Sequence, residues 1–252
     1  MPGSNLEGVN LVLITADEAQ NGLSPDDPRA RHLRETVGLG LGGTFHVGIE
    51  DGLRGIATIA ALAPSLTFTV VWEKSAQARL PLTVLVGLPR PQTAKKVLHD
   101  LASLGAARLV FFGSAKGDPG YLTSSLWKDG EWREHVLKGT EQACSTLVPE
   151  VTRVGSLAEA VALLAGDAWK LALDPYVATG APERSAPATS AVLAIGPERG
   201  FADAERATLR DAGFGFAHLG DRILRVEAAA LVGGALMLAQ LRAGEKHRPL
   251  GG

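Results

Sequence analysis

The sequence of 252 residues is 46% hydrophobic with a formal net charge of −2, which allows one large or two modest domains with a sizeable core. It has no apolar run near the roughly 20 residues of a membrane span and no amino-terminal signal pattern, so we expect a cytoplasmic protein without membrane contact. The single cysteine, Cys144, excludes an intramolecular disulfide and a cysteine-based metal cluster, and no metal is predicted.

Short apolar and alternating runs dominate the first part of the chain, with a polar loop predicted over residues 15–28. Such closely spaced runs predict a small β-barrel that ends near Trp72. The predicted strands are residues 9–14, 44–49, 55–62 and 66–71.

A basic, helix-like segment lies between the first two predicted strands. Its cationic residues form the densest basic cluster in the first half of the chain: Arg29, Arg31, His32 and Arg34. Such a run is usually a solvated helix face, and the alternative is an edge that contacts nucleic-acid phosphate. The net negative charge means that any nucleic-acid contact must come from a local patch of this kind.

The glycines at 38–43 match a dinucleotide-binding pattern only superficially. That pattern needs a strand before the glycines and a helix after them, whereas here the helix-like segment precedes and a strand follows. We therefore predict a loop that leads into a β-hairpin.

The spacing of apolar residues changes after the polar stretch 73–81. This stretch ends on proline and predicts a linker. The predicted organisation is therefore a domain over 1–72, a linker over 73–81 and a domain over 82–252. In the second domain apolar strands alternate with helices, which predicts an α/β fold with a mostly parallel sheet and helices on both faces. Predicted strands are 82–89, 107–113, 151–154, 170–174, 192–195 and 214–219, and predicted helices are 93–105, 127–144, 156–165, one capped by Asp203, and 226–241.

Two of these strands end in glycine, at Gly196 and at Gly220. Backbone without a Cβ can approach a flat ligand closely. If the two strand ends lie side by side, they form a nucleoside-sized pocket of backbone polar groups and apolar walls.

The same stretches resemble the SPOUT methyltransferases, and within them the enzymes that methylate N3 of a uridine in small-subunit (16S) ribosomal RNA. The motifs that carry the resemblance are IGPERGF at 195–201, LGDRILRVEAAAL at 219–231, EQACSTLVPEV at 141–151 and the segment 29–52. The resemblance implies a PUA-like β-barrel that binds RNA through the basic cluster, followed by a trefoil-knot domain. It also implies a homodimer that acts on ribosomal RNA or the small ribosomal subunit.

The resemblance further implies S-adenosylmethionine as cofactor and assigns its site. The cofactor-binding residues would be Leu173, Ile195, Gly196, Pro197, Glu198, Gly200, Leu219, Gly220, Ile223, Leu224 and Ala228. The catalytic residues would be Arg225, which stabilises the uridine imidate, and Glu227. Glu227 has a structural alternative in the first turn of the last helix, and Glu198 could simply pair with Arg199 or Arg225.

The sequence departs from the family pattern at three places. Arg199 stands where the family has a glycine, Ala228 where it usually has threonine, and Leu147 or a neighbour where a central arginine is expected. These departures leave a second interpretation open, a noncatalytic RNA-binding or ribosome-assembly protein that keeps the fold. They also leave open whether Arg199 crowds the pocket or points toward RNA.

Overall fold

The computed structural model describes residues 11–74, 77–164, 166, 168–184 and 187–243. It divides into two compact units. The amino-terminal unit contains residues up to Arg79 together with Val136–Val148, and the carboxy-terminal unit contains Leu80–His135 and residues from Pro149 onward. Of the predicted strand 9–14, residues 9 and 10 lie outside the described residues, as do residues 75 and 76 of the predicted linker.

The amino-terminal unit is built on a four-stranded sheet in the order β1-β2-β3-β4. The strands are β1 (Val12–Ile14), β2 (Thr44–Ile49), β3 (Arg54–Ala61) and β4 (Thr67–Trp72). β1 runs parallel to β2, and the other two pairings are antiparallel. Alternate residues such as Phe45, Val47, Ala57 and Ile59 point to one side and form the core. The four predicted strands are confirmed.

The prediction of a loop over 15–28 is wrong in part, because helix α1 (Ala16–Asn21) lies there. Thr15 caps it: the Thr15 hydroxyl accepts a hydrogen bond from the Glu18 amide, and the Glu18 carboxylate accepts one from the Thr15 amide. This capping box is readable as T-x-x-E in the sequence. Helix α2 (Pro28–Arg31) follows and continues into a π-helical turn over His32–Thr36.

The segment Val136–Val148 belongs to the amino-terminal unit, and its Glu141 forms hydrogen bonds at the start of that unit's sheet. The main-chain oxygen of Glu141 accepts a hydrogen bond from the Leu11 amide at 3.2 Å, and its carboxylate accepts one from the Leu13 amide at 3.1 Å. Burial raises the pKa of the Glu141 carboxyl group. The amino-terminal unit thus contains two separate stretches of the chain. The predicted division at the linker 73–81 does not account for the second stretch, Val136–Val148.

The carboxy-terminal unit is a six-stranded sheet in the order β10-β8-β9-β5-β6-β7, with every pairing parallel. The alternation of strands and helices that predicts an α/β fold is confirmed. Its elements are β5 (Leu80–Gly87), α3 (Pro91–Leu104), β6 (Ala106–Phe112), α4 (Ser125–Lys128), α5 (Trp132–Gln142), β7 (Glu150–Val154), α6 (Leu157–Ala162), β8 (Trp169–Leu173), β9 (Ala191–Ile195), α7 (Asp203–Asp211), β10 (Gly215–Ala217) and α8 (Val226–Leu241). α5 starts in this unit and ends in the other.

Helices cover both faces of the parallel sheet. On one face α8 packs so closely that a Cβ at Gly233 would lie 2.6 Å from Leu173 and 3.1 Å from Leu193. The other face carries Val192 and Ala194, which share a core with residues of α6 and α7. Neighbouring residues of β9 therefore face opposite layers, and this is why the strand is apolar throughout.

Four helices differ from the predictions. α6, predicted over 156–165, spans only Leu157–Ala162. The helix predicted over 127–144 is interrupted between α4 and α5, where Gly130 has a φ of 78° that an α-helix cannot contain. α3 begins at Pro91 rather than Thr93, and Pro91 suits a first turn because its missing N–H needs no partner there. α7 is preceded by Ala202 as its cap, so Asp203 is its first residue. No helix among the described residues is long and apolar enough to span a membrane.

Candidate active site

A cavity of about 630 Å³ lies within the carboxy-terminal unit, where β8, β9 and β10 end. Ligands of open parallel sheets bind outside the carboxyl ends of the strands, and this volume falls among small-molecule sites, roughly 300 to 1,000 Å³. The start of α3 and the loop before α8 complete its walls. Twelve of the residues named from the sequence line it: Leu173, Ile195, Gly196, Pro197, Glu198, Gly200, Leu219, Gly220, Ile223, Leu224, Arg225 and Glu227.

The two departures near the motifs lie off this cavity. Ala228 is not a lining residue, whereas its neighbour Ala229 is. Arg199 does not line the cavity either, and its side chain is exposed. Of the two alternatives for Arg199, its exposure favours the one in which the side chain points away from the pocket.

Gly196 directly follows β9 as predicted, but β10 ends at Ala217, so the predicted strand 214–219 is too long and Gly220 lies in the loop three residues beyond it. The two glycines serve different purposes. A Cβ at Gly196 would lie 2.9 Å from both the Gly200 carbonyl carbon and the Phe201 nitrogen, so a side chain is excluded by the loop's own backbone. Gly220 has a φ of 98°, and a Cβ there would meet no atom within 4 Å. At Gly220, therefore, open space lies directly beside bare backbone.

The cavity is apolar and buried at its floor and more exposed at its rim. Leu173 and Ile195 are 8% and 3% exposed. Ile223 and Leu224, in the loop before α8, are 73% and 39% exposed. Apolar side chains at the rim are thus available to cover the face of a planar ligand.

A buried ion pair that the sequence reasoning missed supports one wall. Asp174, 1% exposed, directly follows β8, and its carboxylate accepts a hydrogen bond from Arg206 Nε at 2.7 Å. The hydrogen bond to Asp174 raises the pKa of the Arg206 guanidinium. The signal available in the sequence was the position of Asp174 at the carboxyl end of a parallel strand.

The two predicted site glutamates each have a cationic partner. Glu198 Oε1 accepts hydrogen bonds from the Arg90 main-chain nitrogen at 3.1 Å and from Arg90 Nε at 3.3 Å, so its partner is Arg90 and not Arg199 or Arg225, the two considered as an alternative. Glu227 lies in the first turn of α8, as predicted, with Oε1 3.5 Å from Lys96 Nζ. These contacts tie the start of α3 to both motif loops.

Two arginines of the cavity differ from Arg90 and Lys96, which form ion pairs with the site glutamates. Arg222 and Arg225 line it, both are exposed, and neither has an ion-pair partner among the described residues. Across those same residues, no group of three or more His, Cys, Asp or Glu could hold a metal ion. The cavity thus combines an apolar floor, bare glycine backbone and two uncommitted guanidinium groups.

The basic cluster of the amino-terminal unit divides into Arg29, which is held by carboxylates, and three residues that are not: Arg31 and His32 are exposed, and Arg34 is half-buried. Arg29 bonds to Asp27, Glu18 and the Leu13 carbonyl oxygen, and its hydrogen bonds to Asp27 and Glu18 raise its pKa. Arg31 and Arg34 each donate one hydrogen bond, to the main-chain oxygens of Asp26 and Pro25, and His32 is exposed.

The parallel sheet and the glycine-lined cavity at its carboxyl edge define an α/β domain shaped for a nucleoside-sized ligand. A family model described as the RNA methyltransferase domain matches residues 76–238, and the chain belongs to this family.

Similar proteins extend over nearly the whole chain. The Ribosomal RNA small subunit methyltransferase E of Treponema pallidum is 31% identical, over 96% of this chain and 95% of that protein. The crystal structure of a Ribosomal RNA small subunit methyltransferase E from Neisseria gonorrhoeae bound to S-adenosyl methionine has a TM-score of 0.76 at 21% identity, covering 92% of this chain and 98% of that one. The probable rRNA-methyltransferase from Porphyromonas gingivalis has a TM-score of 0.73 at 21% identity, covering 94% and 100%. The predicted fold class, a PUA-like β-barrel followed by a SPOUT α/β domain, is confirmed.

Proposed function

We propose that this protein uses S-adenosylmethionine to methylate N3 of a uridine in the RNA of the small ribosomal subunit, in the cytoplasm. The observation that carries the proposal is the cavity at the carboxyl edge of the parallel sheet, lined by both carboxy-terminal motifs. Membership of the RNA methyltransferase family and the relative named for the small ribosomal subunit support it.

The cavity residues fit S-adenosylmethionine. Its floor, formed by Leu173 and Ile195, is apolar enough to receive an adenine ring, and Gly220 leaves open space beside bare backbone where a Cβ would intrude. Leu219 and Leu224 supply further apolar surface around the same opening. S-adenosylmethionine supplies an activated methyl group, so the protein has to hold the reactants in line and exclude water.

Arg225 is the residue we assign to the uracil ring. N3 of uridine is a poor nucleophile while it carries its proton, and positive charge beside a ring carbonyl oxygen favours the imidate. Because Arg225 lines the cavity without an ion-pair partner in the described part of the chain, its guanidinium is available to an incoming base.

Glu227 is the carboxylate we assign to the proton. It lies two residues beyond Arg225 and lines the same cavity. Its contact with Lys96, at 3.5 Å, is longer than the bonds that hold Asp174 and Glu198. Glu227 would accept, directly or through water, the proton that N3 has to lose when it receives the methyl group supplied by the cofactor.

The RNA is expected to contact the amino-terminal unit through Arg31, His32 and Arg34 of the basic cluster. The guanidinium groups of Arg31 and Arg34 each donate a hydrogen bond to a main-chain oxygen and form no ion pair within the described residues, so their charge is available to phosphate. Arg29 is assigned a structural role instead, because its guanidinium is engaged by two carboxylates and a carbonyl oxygen.

We further propose a homodimer formed through α8. This helix is buried on the side that meets the sheet, yet Val232 and Leu236, one turn apart, are 42% and 41% exposed. Neighbouring apolar side chains on an exposed helix face mark an association surface. Sedimentation should give a dimer for the parent and a shift toward monomer for Leu236→Lys; a monomeric parent would overturn this part of the proposal.

The cavity supports the interpretation as a noncatalytic RNA-binding or ribosome-assembly protein less than it supports the enzyme. Two of the departures that suggested it, Arg199 and Ala228, do not line the cavity. Leu147 lies in the segment Val136–Val148 of the other unit.

Two measurements on one preparation test the proposed function. Calorimetry with S-adenosylmethionine should show binding, and nucleoside analysis of small ribosomal subunits that lack the modification should show N3-methyluridine after incubation. Binding without methyl transfer would favour the noncatalytic interpretation, and an absence of binding would refute the cofactor assignment.

A further inference from the structure

Tyr176 is the exposed aromatic side chain of the cavity. Its side chain is 66% exposed, whereas Leu173 and Ile195 on the cavity floor are 8% and 3% exposed. A large aromatic surface left in water beside a binding cavity is available to a ligand that arrives from solution.

Hydrogen bonds to Asp174 fix the main chain around Tyr176. The Tyr176 amide donates to Asp174 Oδ1 at 3.1 Å, and the Ala178 amide donates to the Asp174 carbonyl oxygen at 3.1 Å. Asp174 is itself 1% exposed and bound to Arg206 Nε at 2.7 Å. The buried ion pair therefore fixes the turn that presents the ring, so little conformational freedom of the backbone is lost when a ligand binds.

The ring also lies beside the loop that carries the first motif. A Cβ built on Gly200 would lie 3.6 Å from Tyr176 Cε2, so the edge of the ring approaches this glycine. The same cavity is lined by Arg222 and Arg225, which are exposed and, within the described residues, have no ion-pair partner.

An exposed aromatic ring in the same cavity as uncommitted cations is a combination by which proteins bind unpaired nucleic-acid strands. The ring stacks on a base, and the cations meet the phosphates. A cofactor held on the buried floor would not need so exposed a ring. The arrangement therefore favours the RNA strand as the partner of Tyr176.

We propose that Tyr176 is the surface on which an unstacked nucleobase of the RNA substrate stacks at the mouth of the cavity. The inference rests on the proposed function, because it takes small-subunit RNA as the substrate. It adds a residue that selects for a single-stranded or flipped-out nucleotide, since only an unpaired base exposes the face that a ring can cover.

The test compares three substitutions at Tyr176 with one control. Tyr176→Ala and Tyr176→Leu remove the aromatic face, and Tyr176→Phe keeps it. Tyr121→Ala is the matched control, because Tyr121 is the other tyrosine of the chain and does not line the cavity. The affinity for small ribosomal subunits that lack the modification and the affinity for S-adenosylmethionine are measured for each protein.

We expect Tyr176→Ala and Tyr176→Leu to bind the subunits about 5-fold to 150-fold more weakly, the range that corresponds to the stacking of one base. Tyr176→Phe should restore the affinity that these two lose, and Tyr121→Ala should match the parent. The affinity for S-adenosylmethionine should stay constant in all four. As an independent measure, irradiation of the parent with subunit RNA containing 5-bromouridine should attach RNA to the peptide that contains Tyr176.

The outcomes separate this inference from the proposed function. If the parent binds and methylates the subunits and Tyr176→Ala does so equally well, the stacking role is wrong while the proposed function stands. If Tyr176→Ala loses affinity for S-adenosylmethionine instead, the ring covers the cofactor. A Tyr176→Leu protein equal to the parent would also overturn the inference. If the parent neither binds nor methylates the subunits, both fail.

Discussion

The sharpest test of the cavity is the substitution Gly220→Ala, with Gly213→Ala as its matched control. Both glycines have a positive φ, 98° and 81°, and at both a Cβ would meet no atom within 4 Å. A Cβ in the left-handed region costs roughly 1 to 2 kcal/mol, and the reduced freedom of the unfolded chain returns about 0.4 to 1 kcal/mol. The free energy of unfolding should therefore fall by only about 0 to 1.6 kcal/mol in either variant.

The two variants should differ in binding. Gly220 lines the cavity and Gly213 does not, so only the Gly220→Ala methyl group projects into ligand volume. We expect its dissociation constant for S-adenosylmethionine to rise at least tenfold, which is about 1.4 kcal/mol, while Gly213→Ala binds as the parent does. Calorimetry gives the affinities and denaturant unfolding gives the stabilities. Equal affinities for the two variants would show that the ligand does not lie against Gly220.

Three further predictions concern other parts of the molecule. Arg29→Ala should lower the free energy of unfolding by about 1.5 to 3 kcal/mol, because charged hydrogen bonds are lost. The hydrogen bond from Arg29 holds the pKa of Asp27 below its usual value, so this stabilisation is present above the unfolded pKa and should shrink as the pH falls through the lower folded value. Arg225→Ala should spare the affinity for S-adenosylmethionine and remove methyl transfer, as measured by calorimetry and nucleoside analysis. Cleavage at a protease site introduced at the exposed Lys74 should leave the two fragments together in native gel filtration, because Val136–Val148 lies in the second fragment but belongs to the amino-terminal unit.

Each of these predictions has a contrary outcome. If Arg29→Ala unfolds at the same denaturant concentration as the parent, the structural role assigned to the Arg29 guanidinium is wrong. The same holds if the difference in stability between the two proteins stays constant below about pH 4, the ordinary pKa of an aspartate. Parent-like methylation by Arg225→Ala would refute its role toward the imidate. Separate elution of the nicked fragments would mean that each half of the chain folds without the other.

The sequence predicted elements well where periodicity and local chemistry agree. α8 was predicted from Val226 to Leu241 and has those bounds because the apolar run is continuous and Arg225 precedes it. The sequence does not predict the break at Gly130, because Lys128 and Glu131 on either side of it are good helix formers. α1 was missed because a capping box in a polar stretch also satisfies the criteria for a loop.

At the site, the sequence indicates which residues line the cavity, but it does not give every structural reason why each residue type is required there. The motif glycines were found, yet the cause at Gly196 is the backbone of Gly200 and Phe201, which only the folded loop brings within 2.9 Å. The ion pair between Asp174 and Arg206 joins residues that no local pattern connects. For the same reason, the sequence suggests sequence neighbours as partners of Glu198, whereas its partner in the structure is Arg90, the residue directly before α3.

The pairing of Glu141 with β1 has a consequence for the order in which the newly made chain can fold. The amides of Leu11 and Leu13 have their acceptors on Glu141, a residue that is synthesised long after the last strand of that sheet ends at Trp72. At synthesis rates of roughly 5 to 20 residues per second, the outer edge of β1 stays open for on the order of 3 to 14 seconds. During that interval the nascent sheet has an exposed strand edge. Such an edge can pair with another chain, and chaperones bind chains in this state.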